Sequence, residues 1–293
     1  MCTLPHDLAD HEREAILAHF KSLPEDVRTK NRIFELHLPD RPLFLIKHGS
    51  DALDEAYAQH FFYRLSCNDG LAPKIPRVFD AFSDDGFSFL VTAKITAPTL
   101  KDAGIAEEEA IGHAAHAIKW LLKQTSSVPK SVFGRISPND VRVWHKFFKE
   151  QQAPRAFDSN NLLQYVKTAF KRCPGKQLDQ ALLTRLKDSF AKLSVCHSDI
   201  TRENFLLDTN EQVWMVDFQH VSMLPTIFLE YVFFNVGEKF ASDVGAQLGY
   251  QASDISNAMV VPSSMLQQRG GNAALVEQLS YSVGVRRDSS TRG

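Results

Sequence analysis

No glycine precedes Gly49, and the four cysteines (Cys2, Cys67, Cys173 and Cys196) form no C-x-x-C pair. That cysteine spacing excludes a disulfide framework or a zinc site and fits a reducing compartment. A formal net charge of -2, with no Lys/Arg block before Arg286-Arg287, leaves no electrostatic footprint for nucleic acid. Long apolar runs are also missing. The N-terminus MCTLPHDLADHERE has no apolar h-region, and the longest apolar stretch, Met223 to Val236, is broken by Pro225 and Glu230. No membrane partner and a cytoplasmic location are therefore expected. What the chain does have is 293 residues, 44% of them apolar, enough for one large core or two lobes.

The richest stretch is Ser194 to Met223, SVCHSDITRENFLLDTNEQVWMVDFQHVSM. It reads as loop, strand, turn, strand, loop. Phe205 to Leu207 is apolar and stops at the turn signal Asp208-Thr209-Asn210, and Val213 to Val216 is apolar again and stops at Asp217. Folding that pair back on itself would set Asn204 beside Asp217. Asp199 precedes Asn204 by five positions in H-S-D-I-T-R-E-N, and D-F-Q opens thirteen positions after Asn204.

Phosphoryl transfer is the chemistry that wants this set. It consists mostly of positioning and charge neutralisation: a loop Asp takes the hydroxyl proton, and an Asn and a second Asp hold the magnesium ions on the phosphates. Magnesium keeps several waters, so one carboxylate and one amide suffice. From this chain's composition H-x-D-x4-N would arise about 0.03 times by chance, and with D-F thirteen residues later about 0.0001 times. The two motifs together are specific where each alone is weak.

The stretch resembles the aminoglycoside phosphotransferase and choline kinase group of protein-kinase-like enzymes, fungal members in particular. The resemblance spans roughly residues 30 to 240 and is concentrated in 194 to 223. It implies Asp199 as catalytic base, His197 as a brace for the catalytic loop, Asn204 and Asp217 as metal ligands, and ATP and Mg2+ as cofactors. The implied fold is α+β and two-lobed: a small antiparallel-sheet N-lobe (1–95), a mainly helical C-lobe (96–280) and a disordered tail (281–293).

Upstream, IFELHL and LFLIKHG are strand-like runs separated by Pro39-Asp40-Arg41-Pro42, and Lys47 closes the second. Alone, Lys47 reads more readily as a solvated edge-strand lysine; the resemblance makes it the nucleotide-binding lysine. Ser50 to Leu65 is a helix with Ser50 as N-cap and acids in its first turn. Glu55 is the expected partner of Lys47, with Asp51 and Asp54 as rivals. The resemblance makes Val91 to Ile95 the lobe connector, so Val91 and Ala93 would offer backbone groups to adenine. A phosphate-covering loop needs glycine for close backbone approach. Only Arg28-Thr29-Lys30-Asn31 stands in the corresponding place, so Lys30 and Asn31 would grip phosphate by side chain, or the site is open.

Beyond residue 96 the pattern turns helical. Glu107 to Gln124, Asn160 to Lys171, Leu178 to Leu193 and a buried Pro225 to Val236 are expected helices, and Ser137-Pro138 is expected to start another through VRVWHKFFKE. Trp144, Phe147 and Phe148 read as core rather than as a stacking platform. His113 and His116 share a helix face but have no third ligand nearby. D-F-Q in place of D-F-G, without an A-P-E segment, favours a small-molecule hydroxyl over a protein as acceptor. A catalytically silent, kinase-like binding module is the alternative, and a protein kinase the more remote one.

Overall fold

The computed structural model describes residues 3–138, 143–148, 158–173, 179–235 and 237–268. Helix α1 (Asp10–Ser22) and a short α2 (Glu25–Lys30) precede strands β1 (Ile33–His37) and β2 (Leu43–His48), then α3 (Ala52–Ser66), β3 (Val78–Asp84) and β4 (Phe87–Ala93). The four strands form one antiparallel sheet in the order β1-β2-β4-β3. Alternation along β2 directs Phe44, Ile46 and His48 to one face, where Ile16 and Phe20 of α1 meet them and Phe89 and Val91 of β4. Ala52 and Ala56 of α3 cover the opposite face, against Val78, Ala81 and Leu90. Leu45 and Lys47 lie on that second face, between α3 and the rest of the chain.

The remainder is mainly helical: α4 (Glu107–Lys123), α5 (Ser159–Lys171), α6 (Gln180–Ser189), α7 (Thr226–Phe234), α8 (Lys239–Gln247) and α9 (Asp254–Gln268). Ile111, Ala114, Ala115, Ile118 and Leu121 recur at helical spacing and put one stripe of α4 into the core. α7 is buried on nearly every face, its Phe228 ringed by His145, Phe147, Phe148 and Phe190. A three-stranded sheet, β5-β9-β6, runs through this half: β5 (Gly134–Arg135), β6 (Leu193–His197) and β9 (Val221–Pro225). The hairpin of β7 (Phe205–Leu207) and β8 (Val213–Met215) stands beside it. The architecture is the expected α+β one, a small antiparallel-sheet lobe joined to a mainly helical one.

Several expectations change. Residues 194–197 form β6 rather than a loop, because β9, beyond the D-F-Q segment, supplies the hydrogen-bonding edge. Val143 to Phe148 is turn and extended chain rather than helix, since His145, Phe147 and Phe148 are all driven into the core around α7. Trp144, Phe147 and Phe148 are core residues, as expected. Helix α3 starts at Ala52 with Asp51, not Ser50, at its N-cap. After Gly245, where the sequence shows no clear period, the chain ends α8 and forms α9. The tail expected at 281–293 lies outside the described residues.

Candidate active site

The β7–β8 hairpin positions two functional side chains. Its turn is shaped by Asp208, whose carboxylate accepts from the Asn210 and Gln212 amides and from the Trp214 indole at 2.8–3.0 Å. At the open end the Val216 amide donates to the Asn204 carbonyl at 3.1 Å, so Asn204 and Asp217 emerge side by side. The hairpin is clamped on both edges: the Leu100 amide donates to the Phe205 carbonyl and the Leu207 amide to the Pro98 carbonyl, while the Lys74 amide donates to Val213 and the Lys74 carbonyl accepts from Met215. Asp217 takes the left-handed conformation, φ 62° and ψ 62°, which a short polar side chain tolerates better than most. The next residue, Phe218, is fully buried and stacks on Phe62 of α3 at 5.8 Å. The loop and α3 are thereby held in fixed relation.

Lys47 joins the two lobes. Its Nζ lies 2.6 Å from Glu55 Oε1 on α3 and 2.7 Å from Asp217 Oδ1, a residue 170 positions downstream. Burial opposes the charge on Lys47, but the two carboxylates outweigh it and hold the ammonium above the ordinary lysine range. Burial pushes Glu55 up to about 7; the Lys47 charge opposes this, and Asp217 and Asp51 add to it. Burial also pushes Asp217 upward, but Lys47, His220 and His197 overcome it, and the group stays below the usual carboxylate range. The rivals of Glu55 are committed elsewhere: Asp54 to Arg135 at 3.2 Å and to Ser137, Asp51 to Arg32 at 3.3 Å.

Asp199 sits across the cleft. Asn204 Nδ2 donates to its carbonyl at 2.8 Å and to its Oδ2 at 2.9 Å, while Lys146 Nζ lies 2.8 Å from Oδ1. Burial raises this carboxyl too; Lys146, His220 and Asn204 more than reverse that and keep it ionised. His197, buried, accepts the Asp199 amide at Nδ1 at 3.2 Å, and burial pushes its pKa down to about 4, so the ring is neutral and can accept.

His145 repeats this on the segment bearing Lys146. Its Nδ1 accepts the Phe147 amide at 3.0 Å, its Nε2 donates to the Phe228 carbonyl at 3.1 Å, and burial pushes it down to about 3. A depressed histidine stabilises the fold above its unfolded pKa of about 6.5 and loses that contribution as pH falls toward its folded value. The stability difference between wild type and His145→Gln, measured by urea unfolding, should therefore shrink by about 2 kcal/mol from pH 7.5 to pH 5. A difference independent of pH would show that His145 is not held neutral.

The donor atoms fit a hard divalent ion. Ligand atoms of Asp199, Asp217 and His220 lie within 4.8 Å of one another. Because Asn204 Nδ2 is spent on Asp199, its amide oxygen is the atom left to face a metal. Sequence reasoning missed His220, whose carbonyl accepts the Ser198 amide at 2.9 Å, as well as Lys146 and Arg135. His220 lies within the motif stretch, three positions past Asp217, whereas Lys146 and Arg135 come from segments without a motif and only the fold brings them near.

Two expectations at the nucleotide end need correction. Val91 is not in a connector: it lies inside β4, paired with Ile46 and Asp80, its side chain fully buried against α1. The Ala93 amide already donates to the Arg77 carbonyl at 3.2 Å and Lys94 to Leu43 at 2.9 Å, so the connector begins after them. Lys30 and Asn31 are exposed, beside the strand end where Ile33 pairs with Lys47. Lys30 ends α2, and the Asn31 carbonyl is held by His48 Nε2 at 2.9 Å.

Comparison with known proteins bears on the fold and the family. The crystal structure of a thermostable mutant of aminoglycoside phosphotransferase APH(4)-Ia in its apo form superposes with a TM-score of 0.53 at 13% identity, covering 94% of this chain and 99% of that one. A ternary complex of the thermostable mutant with AMP-PNP and hygromycin B gives 0.52 at 13% identity, covering 97% and 100%. At such identity the likeness speaks for the two-lobed, kinase-like fold alone. No curated protein matches the chain in sequence. The family profile described as "Phosphotransferase enzyme family" matches residues 26–228, across both lobes. By that match the chain belongs to the phosphotransferase enzyme family.

Proposed function

We propose that the protein moves the γ-phosphate of ATP, with magnesium, to a hydroxyl of a small molecule, in a cleft between lobes that meet near residue 95. One observation carries this reading: Lys47 bridges Glu55 and Asp217 while Asn204 holds Asp199, so base, candidate metal ligands and cation converge from four separate segments. Asn204 and Asp217 would hold magnesium, which supplies charge neutralisation on the phosphates. Lys47, oriented by Glu55, contacts phosphate oxygens, and Asp199 takes the acceptor's proton. His197 fixes the Asp199 backbone. Adenine would meet the backbone just past Ala93, and the exposed side chains of Lys30 and Asn31 would close over phosphate in place of a glycine loop. The structural relative bound to AMP-PNP and hygromycin B supports nucleotide and small-molecule binding.

The silent-module reading is favoured by one feature, the helix α2 where a backbone phosphate cradle would stand. Thermal stabilisation by Mg-ATP separates the readings. A transferase gains stability from Mg-ATP, loses the gain when magnesium is chelated or in Asp217→Ala, and transfers label from [γ-32P]ATP to an acceptor pool. Metal-independent stabilisation without transfer would overturn the transferase reading.

A further inference from the structure

Lys146 stands where an acceptor must arrive. Asp199 has two oxygens; Asn204 fills Oδ2, and Lys146 fills Oδ1 at 2.8 Å. The lysine is not a loose surface cation. Its neighbours His145, Phe147 and Phe148 are buried, Ser263 and Gln267 of α9 hydrogen-bond the carbonyls of Phe147 and Lys146, and the Lys146 side chain reaches Asp199. Its second partner is Glu238, at 3.3 Å. The rim continues in matched pairs: Lys239 with Asp243 at 2.6 Å and Glu107 at 3.6 Å, and Glu107 with Arg202 at 2.9 Å. Glu238, Asp243 and Glu107 each already have a cation. An ammonium-bearing acceptor would meet Lys146 at the base itself, with like-charge repulsion.

We infer that the acceptor is an anionic hydroxy compound, carrying a carboxylate or phosphate near the reacting hydroxyl, and that this anion takes Lys146 from Asp199. The inference rests on the transferase reading above. Freed of the ammonium, Oδ1 faces the hydroxyl. The hydroxyl oxygen bonds to the γ-phosphorus, the bond to the β,γ-bridging oxygen breaks, ADP leaves with that electron pair, and the proton passes to Oδ1. Recognition of the acceptor and uncovering of the base are one event, which protects ATP from hydrolysis when no acceptor is present. Lys146 is thus a specificity residue, and Glu238 competes with the acceptor for it.

The test uses the full chain with [γ-32P]ATP and magnesium on a deproteinised cell extract divided by charge into fractions retained on an anion exchanger, retained on a cation exchanger, and unretained. Label is expected in the anion-retained fraction. Lys146→Met should raise the KM for that fraction about tenfold or more with a smaller change in kcat, and Lys146→Arg should recover most of it. Glu238→Gln, at a more exposed position, should lower the same KM. Opposite signs from the two variants are not what a merely structural role gives, and Glu238→Gln still decides the matter should Lys146→Met fold poorly. Label only in cation-retained or unretained fractions, or a KM that neither variant moves, overturns the inference and leaves the transferase reading standing. No label in any fraction overturns both.

Discussion

Asp199→Asn should lower phosphoryl transfer by roughly 10²–10⁴-fold while Mg-ATP affinity stays within a few fold of wild type, because a positioned base contributes about that much and touches no nucleotide. The substitution keeps the shape of the side chain and can keep the Asn204 contact at Oδ2. It removes the acceptor for the proton and the negative partner of Lys146. Transfer rates are read at saturating ATP, and affinity by thermal stabilisation with Mg-ATP. An equal fall in nucleotide affinity would place Asp199 on the nucleotide or its metal instead. Undiminished transfer would remove the catalytic loop from the chemistry altogether.

What the sequence made legible was local. The turn at Asp208, the ends of the hairpin, the apolar stripe of α4 and the acidic first turn of α3 each follow from residues within a few positions of one another, and each is found. Glu55 could be preferred to Asp51 and Asp54 only by analogy; the structure separates them because Arg135 and Arg32, on other segments, take the rivals. Val91 was misplaced because a strand and a connector share the same apolar composition until strand pairing is known. Lys146 was illegible for a related reason. It belongs to a stretch that Ser137-Pro138 is expected to open as a helix, but Val143 to Phe148 is held irregular by burial around α7, and the contact of Lys146 with Asp199 crosses more than fifty positions. Helix α2 left no signal beyond the missing glycines.

Lys47→Met should abolish Mg-ATP-dependent turnover and also destabilise the fold, and the two effects should part in a double variant. Methionine preserves the length of the side chain but leaves Glu55, 4% exposed, and Asp217 without the cation between them. Breaking a buried pair on one side costs about 3–5 kcal/mol. Glu55 can escape part of this by taking up a proton, since burial already holds it near 7 and the loss of Lys47 pushes it higher. A carboxyl raised in the folded state supports the fold below its unfolded pKa and opposes it as pH climbs toward the folded value. The cost of Lys47→Met should therefore grow from pH 6 to pH 8, by at most about 1.4 kcal/mol per unit. Adding Glu55→Gln removes the buried charge, so stability should return and its pH dependence should flatten, with no return of turnover. A stability loss indifferent to pH would mean that Glu55 is not the group left exposed to the penalty. Turnover surviving in either variant would mean that Lys47 is a structural tie between the lobes and no part of the chemistry.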